Sequence, residues 1–138
     1  MTVVVDSSVA LKWYLEEAGT QAARQVLLEE DLAAPEFLLV ECANVLATKT
    51  RKGRIDVLGA SQGMAELSGR LSIRLYPDRA YAEYAHALAI ELGHSAYDCL
   101  YLAVALQEGM VLITADDRFE EKVRRHGSYA RSVRRLEG

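Results

Sequence analysis

Long apolar runs are missing from this 138-residue chain, and none approaches the ~20 residues that a bilayer-spanning helix requires. The N-terminus has no basic stretch or small-residue cleavage site; it goes straight into Thr2-Val3-Val4-Val5-Asp6, so the expectation is a cytoplasmic protein. Cysteine is scarce. Cys42 and Cys99 are far apart and have no companion pair, which makes a poor zinc site and fits a reducing compartment. Histidine is nearly as rare: His86, His94 and His126 do not pair with one another at metal-ligand spacing and read as structural or solvated. An excess of positive charge is also lacking. Sixteen Lys and Arg stand against 20 Asp and Glu, a net charge of −4, which argues against a general nucleic-acid coat. An RNA substrate stays open, because acids committed to a metal count toward that total. Neither Gly-x-x-x-x-Gly-Lys-Ser/Thr nor Gly-x-Ser-x-Gly occurs, which removes a P-loop and a serine-hydrolase elbow. Low-complexity segments, linkers and repeats are absent, so residues 1–138 read as one domain with a proper core.

What is present is an alternation of short apolar runs and helical periods. Val3 to Val5 reads as a strand covered on both faces. Val9 to Glu17 reads as a helix with Ser7 or Ser8 as N-cap, and Gln21 to Glu30 as another. Leu32 to Ala34 is a second strand. Pro35 is placed to open a helix that runs to about Lys52 and stops at Gly53. Asp56 to Ser68 is helical but weakened by Gly59 and Gly63. Ser72 to Leu75 and Met110 to Ile113 are strands, Arg79 to Leu92, Ala96 to Glu108 and Asp117 to His126 are helices, and Ala130 to Val133 is a short last strand. Strands separated by helices imply crossover connections and an α/β fold with a parallel sheet. In such sheets ligands collect at the carboxyl ends of the strands.

Four acids stand where a carboxylate has little ordinary structural reason to be. Asp6 ends the valine run, and capping alone does not need both it and the serines that follow. Glu41 follows four apolar residues, with Asn44 and Thr48 on its own helical face. Asp98 interrupts an apolar stretch from Ala96 to Leu106; Ser95 with Asp98 also has capping-box spacing, so it has a competing role. Asp116 follows the Val111–Ala115 run. Asp117 and Glu120 have the N-cap and N3 spacing, which assigns the cap to Asp117 and leaves Asp116 for other work. Trp13 and the tyrosines are spaced as core packers. Two basic segments, Lys49-to-Arg54 and Arg124-to-Arg135, fit solvated surface and phosphate contact equally well.

Together, Val4-Val5-Asp6-Ser7-Ser8, Glu41-Cys42-Ala43-Asn44-Val45-Leu46, Ser95-Ala96-Tyr97-Asp98-Cys99-Leu100-Tyr101-Leu102-Ala103 and Leu112-Ile113-Thr114-Ala115-Asp116 resemble a PIN domain of the VapC-type toxin ribonucleases. The resemblance covers essentially the whole chain. It implies a three-layer α/β/α sandwich around a parallel sheet of four to five strands, a homodimer, and Mg²⁺- or Mn²⁺-dependent endoribonuclease activity on RNA. It also implies inhibition by a cognate antitoxin protein. Clustered carboxylates raise one another's pKa, and divalent cations relieve the conflict and suit oxygen ligands. On this reading Asp6, Asp98 and Asp116 are metal ligands, and Glu41 binds a second metal or holds the attacking water. Thr114, Ser7 and Asn44 are placed to support them. A haloacid-dehalogenase phosphatase would want an Asp where Ser8 stands, and a response-regulator receiver would want an acidic pair where Asp6-Ser7 stands. The remaining rival is a catalytically silent PIN-like binding module, and the intact acids count against it.

Overall fold

In the computed structural model, which describes residues 1–137, five strands form one sheet. They are β1 (Thr2–Val5), β2 (Asp31–Pro35), β3 (Ile73–Tyr76), β4 (Val111–Thr114) and β5 (Val133–Arg135). Their order is β3-β2-β1-β4-β5, and every pairing is parallel. Val3, Val4 and Val5 are fully buried at the centre, which is why this strand is apolar at consecutive positions. The helices are α1 (Ser7–Ala10), α2 (Thr20–Glu29), α3 (Phe37–Arg51), α4 (Val57–Ala65), α5 (Ala82–Leu92), α6 (Ala96–Glu108) and α7 (Asp117–Arg125). Right-handed crossovers place α1–α4 on one face of the sheet and α5–α7 on the other, giving the expected three layers. No helix among the described residues is long and apolar enough to cross a membrane.

This topology determines where the acids lie. The strand order reverses between β1 and β4, so a crevice opens beyond their carboxyl ends. Each of α1, α3 and α7 begins where a strand ends, and α6 runs back toward the start of β4. All four helices therefore present their N-terminal turns at that same edge.

Several elements differ from the sequence expectation. The first helix is only Ser7–Ala10, continued by a 3-10 turn over Leu11–Trp13, and its N-cap is Asp6. Pro35 does not open α3. It is the last residue of β2, buried and paired with Tyr76 in register, and Phe37 begins the helix. The last position of a strand suits proline's fixed φ as well as a helix start does. The Asp56–Ser68 expectation becomes α4 plus a π-helical turn over Glu66–Arg70. Gly63 is tolerated there because a Cβ would sit 3.2 Å from the Tyr14 ring. Ala130–Ser132 is a 3-10 turn, and the last strand starts at Val133.

The second basic segment is largely committed to ion pairs. Arg124 and Arg135 both reach the buried Glu120, at 3.1 and 2.8 Å, and Arg125 reaches Glu121 at 2.7 Å. The cations from Lys49 to Arg54 surround the far end of α3. By helical rise, Arg51 stands about 15 Å along the axis from Glu41.

Candidate active site

Asp6 leaves the last rung of β1 and caps α1, its Oδ1 accepting the Val9 N–H at 3.3 Å. It is 6% exposed. Burial, the largest cause, pushes its carboxyl from the ordinary 3.8 up to about 6. Hydrogen bonds from Ser8, Thr114 and Val9 pull it back down, and the charge of Asp98 adds a lesser upward push. Desolvation, more than the mutual repulsion anticipated from the sequence, thus sets the behaviour of this carboxylate.

Ser8 joins the two central strand ends. Its hydroxyl donates to Asp6 Oδ1, accepts the Ala115 N–H at 2.9 Å, and lies 3.3 Å from the Thr114 hydroxyl. Thr114 is fully buried, and its Oγ1 accepts the Asp116 N–H at 3.0 Å. Thr114 therefore holds the Asp116 backbone. Ser8 makes the contacts for which Ser7 had been the candidate; Ser7 has no side-chain hydrogen bond among the described residues. Asn44 is exposed, and its carbonyl accepts from Thr48. Ser8→Ala is expected to lower stability in urea unfolding by about 1–2 kcal/mol, since the Ala115 N–H loses its acceptor. Ser7→Ala should change it by less than about 0.5 kcal/mol.

Asp116 and Asp98 also sit at helix starts. Asp116, not Asp117, caps α7, its Oδ1 accepting the Phe119 N–H at 3.0 Å. Asp117 is exposed and pairs with Arg135 at 3.4 Å. Asp98 lies in the first turn of α6, but the expected reach back to Ser95 is replaced: Ser95 caps Tyr97 N–H, and Asp98 Oδ2 meets His94 Nε2 at 2.7 Å. One ligand atom from each of His94, Asp98 and Asp116 lies within 4.8 Å of the other two. Glu41 stands in the second turn of α3, where Tyr101, fully buried on α6, donates its hydroxyl to Oε1 at 2.6 Å. Burial and then the charges of Glu41 and Asp6 push the Tyr101 phenol upward, so it stays a protonated donor. Both acids also act on Cys42, which burial pushes up to about 12. Cys42 and Cys99 are fully buried, the core placement expected of them.

All four predicted acids thus gather at one edge. His94, read from sequence as structural or solvated, joins them. The available signal was the position of His94 just before the Ser95 cap of α6, four residues ahead of Asp98. Carboxylate oxygens brought this close together, with a buried Asp6 whose ionised form is disfavoured, fit a divalent cation.

Comparison with known proteins follows the same lines. The PIN domain profile matches residues 3–124. Ribonuclease VapC3 of Pyrobaculum aerophilum is 33% identical over 126 residues, covering 88% of this chain and 95% of that protein. The crystal structure of PAE2754 from Pyrobaculum aerophilum superposes with a TM-score of 0.69 at 25% identity, over 88% of this chain and 79% of that one. VapBC2 from Rickettsia felis, solved bound to a DNA fragment from its promoter, shares the fold at a TM-score of 0.63 and 11% identity, over 99% of this chain and 100% of that one.

Proposed function

The chain belongs to the PIN domain family, and from that premise we propose that it is a metal-dependent endoribonuclease hydrolysing RNA phosphodiester bonds, the toxin of a VapBC-type toxin–antitoxin pair. The observation that supports this reading is the approach of Asp98 and Asp116, one ligand atom of each within 4.8 Å of the other, beyond the switch point between β1 and β4, with the buried Asp6 near enough to feel the charge of Asp98 and Glu41 held by Tyr101. Asp6, Asp98 and Asp116 are the residues that would hold the cation, Mg²⁺ with Mn²⁺ as a substitute, since carboxylate oxygens suit hard ions. When bound, such an ion supplies positive charge against the scissile phosphate and acidifies water beside it.

The chain's own groups do the rest. Tyr101 holds Glu41 by Oε1, and Oε2, which has no partner from Tyr101, is the acceptor for a proton of the attacking water. Ser8 and Thr114 hold Asp6 and the Asp116 backbone in register. The Lys49-to-Arg54 cations are too far along α3 to touch the scissile phosphate, and act on the flanking backbone of a longer RNA. A homodimer and a cognate antitoxin partner complete the proposal. They rest on the family and on the VapBC2 pair, whose toxin fold this chain shares.

Mixed-sequence single-stranded RNA should be cut in Mg²⁺ or Mn²⁺, and Asp98→Asn should slow the cut by about a thousandfold with the fold intact by circular dichroism. Cleavage that persists in excess chelator removes the metal-dependent mechanism. Binding of RNA with no cleavage under any metal would leave the silent-module reading instead.

A further inference from the structure

His94 has a role the acids alone do not explain. Its ring is held on three sides. Phe119 stacks on it with centroids 4.5 Å apart and planes 29° apart. Lys122 Nζ donates to the Gly93 carbonyl at 2.8 Å and lies 3.3 Å from His94 Nδ1. Nε2 meets Asp98 Oδ2 at 2.7 Å. A lysine ammonium has donors and no acceptor, so its contact is favourable when Nδ1 is the unprotonated nitrogen, and we assign the tautomer on that basis. The ring proton is then on Nε2 and is donated to Asp98. A nitrogen that carries a proton has no lone pair for a metal.

We propose that His94 is a positioning residue for Asp98, locked by Lys122 in the Nε2–H tautomer, so that Asp98 Oδ2 is fixed and Oδ1 is the oxygen available to a cation. It is not itself a ligand, although its distance to Asp98 and Asp116 would allow one. Direct ligation would require the proton to move to Nδ1, against the Lys122 ammonium. Lys122 and Phe119 both lie on α7, and Phe119 is the residue whose N–H Asp116 caps. The start of α7 therefore sets Asp116 directly and Asp98 through His94, fixing two acids from one element. Histidine–carboxylate contacts of this kind usually orient a metal-bound histidine; here the orientation runs the other way. The inference rests on the proposed reading of Asp98 as a metal-holding acid.

Mn²⁺ binding followed by electron paramagnetic resonance, with nitrogen modulation of the Mn²⁺ signal, tests it in four variants. Asp98→Asn should lose Mn²⁺. His94→Leu, which keeps an apolar body against Phe119, should weaken Mn²⁺ binding about ten- to a hundredfold. His94→Gln, whose amide N–H reaches nearly the same place, should recover most of that loss, and Lys122→Met should lose a part of it. The wild-type signal should show no directly bonded nitrogen. A bonded nitrogen that disappears in His94→Leu would make His94 a ligand and overturn the proposal. So would wild-type Mn²⁺ affinity in His94→Leu or in Lys122→Met. If His94→Leu does not fold, His94→Gln and Lys122→Met decide the matter alone. Failure of the wild type to bind Mn²⁺ would take the proposed function down as well. Loss in Asp98→Asn without loss in His94→Leu would remove this inference alone.

Discussion

Asp6→Asn is expected to abolish RNA cleavage, by about a thousandfold or more, and at the same time to raise the melting temperature of the metal-free protein at pH 7. The two effects have one cause. Asp6 is buried beyond the end of β1, and burial lifts its carboxyl from 3.8 to about 6. At neutral pH the folded chain therefore carries an anion that the unfolded chain hydrates better, a penalty of about 3 kcal/mol. An asparagine amide is neutral, and its oxygen accepts the same donors, the Ser8 hydroxyl and the Val9 N–H. The variant should be more stable by about 1–3 kcal/mol, or several degrees in melting temperature. Calorimetry in chelator and a cleavage assay in Mg²⁺ check the two halves separately. A fall in melting temperature would mean that the charge stabilises the fold, contrary to its burial. Wild-type cleavage would remove Asp6 from the chemistry. An active-site group that weakens its own scaffold is a common pattern where function demands a poorly solvated charge.

The sheet and the acid positions were legible because both are written in short-range patterns. Consecutive apolar residues at Val3–Val5 and Val111–Ile113 mark strands buried on both faces, and the residue that breaks such a run falls at the rim. The α6 boundaries, Ala96 to Glu108, are bracketed by Ser95 and Gly109 and were read without error. The cap assignments were harder. Asp116 and Asp117 are adjacent acids with equivalent spacing to later residues, and the choice between them depends on the turn after β4, where the Thr114 hydroxyl takes the Asp116 N–H. The same limit applies to Ser7 and Ser8: side by side in sequence, they point about 100° apart once α1 forms, and Ser8 is the one turned toward β4. Pro35 misled because proline is welcome at both a helix start and a strand end. His94 was missed because its partners come from two other places, Asp98 one turn on and Lys122 on α7, and the second is invisible to any local period. Three of the acids share a rule that appears once the topology is known. Asp6 and Asp116 cap helices and Asp98 lies in a first turn at the carboxyl edge, where free N–H groups and the positive end of the helix dipole favour negative charge, while Glu41, one turn further into α3, is held by Tyr101 instead.

Mg²⁺ or Mn²⁺ should stabilise the wild type far more at pH 8 than at pH 5, and the crossover should follow Asp6. Its folded pKa, about 6, lies above its unfolded value of 3.8. Below the unfolded value both states hold the proton and nothing is lost. Between the two values the folded state keeps a proton that the unfolded state has released, so the metal-free protein loses stability as pH rises through about 6. Other carboxylates titrate over the same range, so the quantity to plot is the difference in melting temperature between wild type and Asp6→Asn. In chelator that difference should move against the wild type as pH rises from 3.8 to about 6 and level off above it. A divalent cation binds the ionised form, so its affinity must rise over the same interval. At a hundred times Kd it contributes about 2.7 kcal/mol, close to the whole desolvation penalty. Saturating metal should therefore bring the wild type level with the variant or above it at pH 8, while leaving Asp6→Asn nearly where it was. Equal metal increments at pH 5 and pH 8, or an increment that survives in Asp6→Asn and Asp98→Asn alike, would place the cation somewhere other than the β1–β4 crevice. On the proposed reading the ion offsets the charge that Asp6 holds in a poorly solvated place, which ties stability and catalysis to the same event.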